Sequence, residues 1–222
     1  MLPIQVAIDG PAGAGKSTVA KLVAKQLGAK YIDTGAMYRA VGWLVLNEHI
    51  DPSDEERIVH LAESLRFSLT DSGIQVNGYH LTNEIRMEKV SAIASAIATL
   101  GGVREVLVDK QRQLAGEQSV VMDGRDVGTH VLPNANIKIF LTASIDKRVE
   151  RRYHELKKKG ESPSLESLRK EVIRRDHNDK NRQFAPLCRA ADAILLDTTE
   201  MTTKQVVNQI IQLCRTKLGG EE

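Results

Sequence analysis

The hydrophobic positions of this chain fall into short apolar runs separated by longer stretches of helical period. Ile4 to Ile8 is a largely apolar run of strand length that breaks off in a glycine-rich loop. Beyond the loop Val19, Ala20, Leu22 and Val23 recur at helical spacing, and Gly28 suits the C-cap of that helix. Lys30 to Asp33 reads as a second strand. The helix that follows turns Ala40, Val41, Trp43, Leu44 and Leu46 inward, and Met37 and Trp43 read as packing residues. Pro52 and Ser53 open a third helix, which runs to about Leu65. From Arg66 to Leu81 the period drops to two, with Phe67 and Leu69, then Ile74 and Val76, then Tyr79 and Leu81 alternating. Turns at Asp71-Ser72-Gly73 and Asn77-Gly78 make this a small antiparallel meander. It interrupts an alternating order of strands and helices, so it reads as an insertion.

Asn83 to Leu100 has helical period and small residues (Ala92, Ala94, Ser95, Ala96, Ala98) that permit close packing. Arg104 opens a further helix that ends near Gly116. Ser119 to Asp123 reads as a buried parallel strand ending in an acid, followed by the loop Gly124-Arg125-Asp126-Val127-Gly128. Ile137 to Leu141 is the fourth core strand. Helices of roughly 144 to 159 and 164 to 178 come next, with Gly160 to Pro163 between them. Ala193 to Leu196 is the fifth strand, and Met201 to Leu218 closes the chain as an amphipathic helix. The pattern predicts one α/β domain with an open, parallel five-stranded sheet flanked by helices.

Composition narrows the class. A hydrophobic content of 41% over 222 residues is ample for one buried centre, and no apolar run approaches the roughly 20 residues needed to span a bilayer. Met1 to Ile4 lead into the first strand without a charged n-region, and Cys188 and Cys214 lack metal spacing, so a cytoplasmic protein without a membrane partner is expected. The net charge of +2 is unevenly spread. Lys147 to Arg182 holds 13 Lys and Arg against 7 Asp and Glu, leaving 18 against 22 elsewhere. This basic block is either two solvated helix faces or a mobile cover that closes over polyphosphate.

The first loop decides the chemistry. Gly10, Pro11, Ala12, Gly13, Ala14, Gly15, Lys16 and Ser17 match G-x-x-x-x-G-K-[ST], with Thr18 next. In that pattern glycines let backbone N–H groups curl around phosphate oxygens, the lysine reaches the β and γ phosphates, and the serine hydroxyl holds Mg²⁺. The loop also feeds a helix N-terminus, which favours an anion. A nucleoside triphosphate with Mg²⁺ is therefore the expected ligand.

A GTPase would carry a guanine-reading Asn-Lys-x-Asp, and the nearest string, Asn178-Asp179-Lys180-Asn181, has the wrong order. A small-molecule kinase fits better, because phosphoryl transfer needs positioning and charge neutralisation. If the acceptor is itself a phosphate, its oxygen is already ionised and no general base is needed. Such a site is rich in arginine and poor in histidine. Arg39, Arg104, Arg125, Arg175 and Arg182 each sit at a strand exit, helix start or loop, whereas the six His are scattered. Arg148, Arg151 and Arg152 share a helix face leading into the cover, and at least one is expected to meet the transferring phosphoryl group. Arg86 could touch the acceptor phosphate, but reads better as a solvated arginine. Asp123 and Asp126 have a plainer alternative as N-caps or structural ion-pair partners. Two rival functions stay open: a kinase for another monophosphate or a small hydroxy acid such as shikimate, and a nucleotide-dependent RNA-binding protein. The second is disfavoured because the basic block alternates with acids and has only Tyr153 as an aromatic before Phe184.

The strings GPAGAGKST, DTGAMYRA, VVMDGRDVGTHVLP and RDHNDKNRQFAPLCRAADAILLDTT resemble those of the bacterial cytidylate kinases, nucleoside monophosphate kinases that make CDP from CMP. The resemblance covers essentially the whole chain. It implies a P-loop NTPase-type core (about 1–33, 103–147 and 183–222), a monophosphate-binding region carrying the meander (about 34–102) and a helical lid (about 148–182). It implies that Gly10 to Thr18 bind the ATP phosphates and that Arg39 and Arg125 hold the acceptor phosphate. Thr34, Arg104, Asp126 and Arg182 would surround the base, with Ser95, Arg175 and Asp179 on the sugar. Lys16, Arg125 and Arg182 are the expected catalytic residues, and Ser17 the metal ligand. Thr34 stands where some relatives have serine. CMP and dCMP are the expected acceptors of a monomeric enzyme with no stable nucleic-acid partner.

Overall fold

The computed structural model describes residues 3–70, 73–82, 84–116, 118–158 and 160–218. Asp71 and Ser72 of the expected turn, Asn83 at the expected helix start and Lys159 lie outside the described residues. The chain opens with β1 (Gln5–Asp9), whose last four residues are buried, and passes through the glycine loop into α1 (Lys16–Leu27). Then come β2 (Lys30–Asp33) and α2 (Thr34–Asn47), N-capped by Asp33, whose carboxylate accepts from the Ala36 amide. α3 (Glu55–Ser64) leads into the antiparallel meander of β3 (Phe67–Thr70), β4 (Gly73–Val76) and β5 (Tyr79–His80).

The meander is followed by a 3-10 turn (Glu84–Arg86), α4 (Glu88–Ile97) and α5 (Gly101–Ala115). β6 (Val120–Gly124) then runs into a π turn (Val127–Val131). β7 (Ile137–Thr142), α6 (Ile145–Lys158), α7 (Leu165–Asn181), β8 (Ile194–Asp197) and α8 (Thr203–Leu218) complete the fold.

The five core strands form one parallel sheet in the order β2-β6-β1-β7-β8, as the alternating pattern predicts. α1 and α8 cover one face, packing Val19, Val23, Val206 and Ile210 on Val6, Ile8, Ile137 and Ile139. α5 and the π turn cover the other through Ala115, Val127 and Val131. A separate apolar centre joins α2, α3, α4 and α5 to the meander, with Met37 fully buried and Trp43 against it. No single described helix is long and apolar enough to cross a membrane.

Three local differences from the sequence pattern have physical causes. The helix expected over Asn83 to Leu100 is broken at Met87, which is extended. Ile85 and Val90 are both buried, and in one straight helix five residues apart they would point about 140° away from each other. α5 begins at Gly101 instead of Arg104, because Glu55 on α3 accepts the Gly102 amide at 2.7 Å and caps it from outside. The π turn is the third difference. It is tied by bonds from Val131 to Asp126 (3.2 Å) and from Leu132 to Val127 (2.7 Å), a period that apolar spacing does not announce.

Candidate functional site

The carboxyl edge of the sheet positions the site. In the strand register Asp33 lies beside Asp123, and Asp9 beside Gly124, so three carboxylates crowd where the strands end. Between them the glycine loop turns back toward α1. Only glycine fits at position 10, since a Cβ there would lie 1.9 Å from the Leu141 carbonyl oxygen. A cavity of about 750 Å³ opens above this edge, walled by eight arginines and two lysines against five carboxylates. Such a wall selects a polyanion.

Lys16 is buried and its Nζ donates to the Pro11 carbonyl at 2.9 Å. Burial pushes its ammonium well down from the usual lysine range and Arg125 adds to this, so a phosphate chain would restore the full charge. Ser17 Oγ donates to one Asp123 carboxylate oxygen at 2.9 Å and Tyr31 donates to the other at 2.7 Å. Burial, with Asp33 adding, pushes the Asp123 carboxyl up, opposed by Lys16 and by those two hydrogen bonds. A hydroxyl and a carboxylate in contact form a hard-oxygen pair that suits Mg²⁺ with its remaining positions on water and phosphate. Among the described residues no group of three His, Cys, Asp or Glu side chains could hold a metal by itself.

The far wall is built from α5, the loop after β6 and the end of α7. Asp126 is buried, forms an ion pair with Arg104 Nη2, and its other oxygen lies 3.3 Å from Arg182 Nη2. Arg104 is braced by the Ala98 carbonyl at 3.1 Å and stands over the Tyr38 ring at 5.6 Å, and burial pushes the Tyr38 hydroxyl up to about 12. Arg182 donates from Nε to the Ala185 carbonyl at 2.6 Å; burial and then Arg104 push its guanidinium down. Arg125 Nε donates to Asp179 at 2.6 Å. Burial works to raise the Asp179 carboxyl, but Arg125, Arg182 and Arg175 hold it below its usual range. Arg39 pairs with Asp33 at 2.9 Å. Two buried donors in this wall, Arg39 Nε and Arg182 Nη2, make no hydrogen bond among the described residues.

Of the residues singled out from sequence, Ala12 to Thr18, Thr34, Arg39, Ser95, Arg104, Arg125, Asp126, Arg175, Asp179 and Arg182 all line this one cavity. Gly10 and Pro11 shape the loop from behind without lining it. Thr34 is buried and its hydroxyl donates to the Asp123 carbonyl at 2.8 Å, so it faces the cavity as an acceptor. Arg86 lines the cavity. Arg151 and Arg152 also line it, whereas Arg148 is buried beside the phosphate loop and paired with Asp176. Asp126 occupies the N-cap position of the π turn, yet its side chain makes no capping bond.

Sequence reasoning missed four residues: Tyr31, Tyr38, Asp176 and, most of all, Asp9. Asp9 is buried, and its carboxylate accepts the amides of Val127 at 2.8 Å and Gly128 at 2.7 Å. Burial pushes it up to about 6, against those two hydrogen bonds. The available signal was a charged residue closing an otherwise apolar strand.

A family model described as cytidylate kinase matches residues 6–216. A protein named cytidylate kinase from Alkaliphilus oremlandii is 50% identical over 212 residues, covering 96% of this chain and 98% of its own. Another of that name, from Caldanaerobacter subterraneus subsp. tengcongensis, is 48% identical over 220 residues, covering 99% and 98%. The chain belongs to the cytidylate kinase family. Membership as a cytidylate kinase extends from β1 to α8, so the glycine loop, the meander and the α6–α7 pair all fall inside the match. Among solved structures, an uncharacterised protein from Eubacterium ventriosum aligns with a TM-score of 0.55 at 14% identity, covering 96% of this chain and 98% of its own, a likeness of fold.

Proposed function

We propose that the protein transfers the γ-phosphoryl group of ATP to CMP and dCMP, giving the diphosphate and ADP. The observation that carries the choice of base is Asp126, held between Arg104 and Arg182 at the far wall of an anion-selecting cavity. Cytosine presents an amino donor at N4 and acceptors at N3 and O2. The Asp126 carboxylate and the accepting side of Thr34 suit the amino group. Arg104 and Arg182, whose Nη2 pairs with Asp126 at 3.3 Å without a hydrogen bond, suit the two acceptors. Uracil would set a carbonyl against the carboxylate, leaving a buried acceptor unpaired at about 1–3 kcal/mol. In this reading Arg39 and Arg125 hold the acceptor phosphate, and Ser95, Arg175 and Asp179 hold the sugar.

The acceptor phosphate is largely a dianion near neutral pH, so its oxygen attacks the γ phosphorus in line without a base. The carboxylates near it already hold arginines: Asp33 with Arg39, Asp126 with Arg104 and Asp179 with Arg125. Their oxygens, like those of Asp123 that accept from Ser17 and Tyr31, are already engaged, which favours a phosphate acceptor over a hydroxy acid. Lys16, Arg125 and Arg182 offset the charge spread over the transferring group, and the loop amides hold the donor phosphates. Ser17, with Asp123 behind it, would hold Mg²⁺, which supplies charge neutralisation on the phosphates when bound. The α6–α7 pair is a lid and residues 34–102 cover the acceptor, and together they exclude water that would otherwise hydrolyse ATP. The protein acts as a cytoplasmic monomer with no nucleic-acid partner.

The test is an acceptor panel with Mg-ATP: CMP, dCMP, UMP, AMP, GMP and shikimate, read by ADP release. CMP and dCMP are expected to give the highest kcat/KM. A higher value for UMP or for the hydroxy acid would overturn the assignment.

A further inference from the structure

Asp126 sits where an aspartate ordinarily caps the turn that follows it, accepting the free N–H groups with its own side chain. Here it does not, and those donors are taken from another strand. One Asp9 oxygen accepts from Val127 and the other from Gly128, both buried, across 118 and 119 residues of chain. With its own turn already capped, Asp126 is free to reach Arg104 and Arg182. Asp9 also immediately precedes Gly10 of the phosphate loop. One carboxylate therefore bonds the acceptor-side loop to the strand that carries the donor-side loop.

We propose that Asp9 is a positioning residue for base selection: by capping the π turn from β1 it keeps Asp126 turned toward the acceptor. Without that cap, the Val127 and Gly128 amides are buried donors without partners, and Asp126, in the N-cap position, is placed to take the Gly128 amide with its own side chain. Turning back to cap its own helix would take Asp126 away from the base. This rests on the reading of Asp126 given above, and the two can be told apart.

The experiment measures kcat/KM for CMP and UMP, and KM for ATP, in the full chain and four variants: Asp9→Asn, Gly128→Ala, Asp126→Ala and the double variant Asp9→Asn/Asp126→Ala. Asp9→Asn retains one acceptor and loses the other. It is expected to lower the CMP:UMP ratio roughly tenfold while KM for ATP stays within about threefold, as expected for one lost buried interaction. In the Asp126→Ala background the same change should lower the ratio no further, because the two residues act in series. Gly128→Ala covers the case in which Asp9→Asn does not fold. Its added methyl lies 3.3 Å from Asp9 Oδ2 and 3.2 Å from Lys138 Cδ, and should lower the ratio in the same direction. If Asp126→Ala lowers the ratio but the folded Asp9 and Gly128 variants keep it, or if they shift CMP, UMP and ATP equally, the role given to Asp9 is wrong. If Asp126→Ala itself keeps the wild-type ratio, the reading of Asp126 fails first.

Discussion

Arg148 on α6 and Asp176 on α7 form a two-point pair, Nη1 to Oδ1 at 2.9 Å and Nη2 to Oδ2 at 2.6 Å. The same guanidinium donates to the Ala12 carbonyl in the phosphate loop and to the Ala143 carbonyl, both at 3.0 Å. Arg151 continues the contact through the Ala14 carbonyl and Thr198. The first two arginines of the basic helix face thus brace the back of the loop and fix α7, whose Arg175, Asp179 and Arg182 reach the cavity. Removing one partner of a buried ion pair costs about 3–5 kcal/mol. Arg148→Ala is therefore expected to lower unfolding free energy by about that much in urea and to raise KM for ATP and CMP together. Lost stability with both KM values unchanged would confine the pair to holding helices.

Lys16 gives a prediction of opposite sign for stability. Its buried ammonium is pushed down by desolvation, so the residue is held at a cost to the fold. Lys16→Ala should reduce kcat by roughly 100-fold or more, as for loss of a group aimed at transition-state charge. Its urea midpoint should equal or exceed that of the wild type. Near-normal kcat would remove Lys16 from the mechanism.

How much of this was legible beforehand follows from where each signal resides. The parallel core, the meander and the glycine loop were legible because each is a local pattern: an apolar run, a period of two, a spacing of glycines. The cavity arginines were legible from their places at element ends, whereas Thr34, Ser95 and Asp179 came only with the resemblance to a family. What was hidden depends on contacts between distant segments. Asp9 caps a turn more than a hundred residues away, Glu55 caps α5 from α3, and Tyr31 supports Asp123 across neighbouring strands. Arg148 shared a helix face with Arg151 and Arg152, and only the position of α7 with its Asp176 shows that it turns inward. The break before α4 reflects the burial of both Ile85 and Val90 on either side of Met87, a demand of tertiary packing.

Asp9 also sets a pH dependence. Its carboxyl is pushed up to about 6 by burial, from an ordinary value of 3.8, with Asp126 adding and Lys16 opposing. A raised carboxyl contributes stability that is complete below about 3.8 and is lost as pH rises through about 6. Asp9→Asn lacks this contribution. Urea unfolding of both proteins should therefore show the wild type losing about 2 kcal/mol relative to the variant between about pH 4.5 and pH 7.5. An identical difference at the two pH values would mean that Asp9 does not titrate in this range.

The most direct test of base selection is the CMP:UMP ratio of kcat/KM in the wild type and in Asp126→Ala, measured with saturating Mg-ATP. A carboxylate that reads the cytosine amino group should give a wild-type ratio of at least about 100, falling by roughly 10-fold or more in the variant as the buried contact is lost. An unchanged ratio, with both acceptors slowed equally, would contradict the assignment of Asp126 to the base.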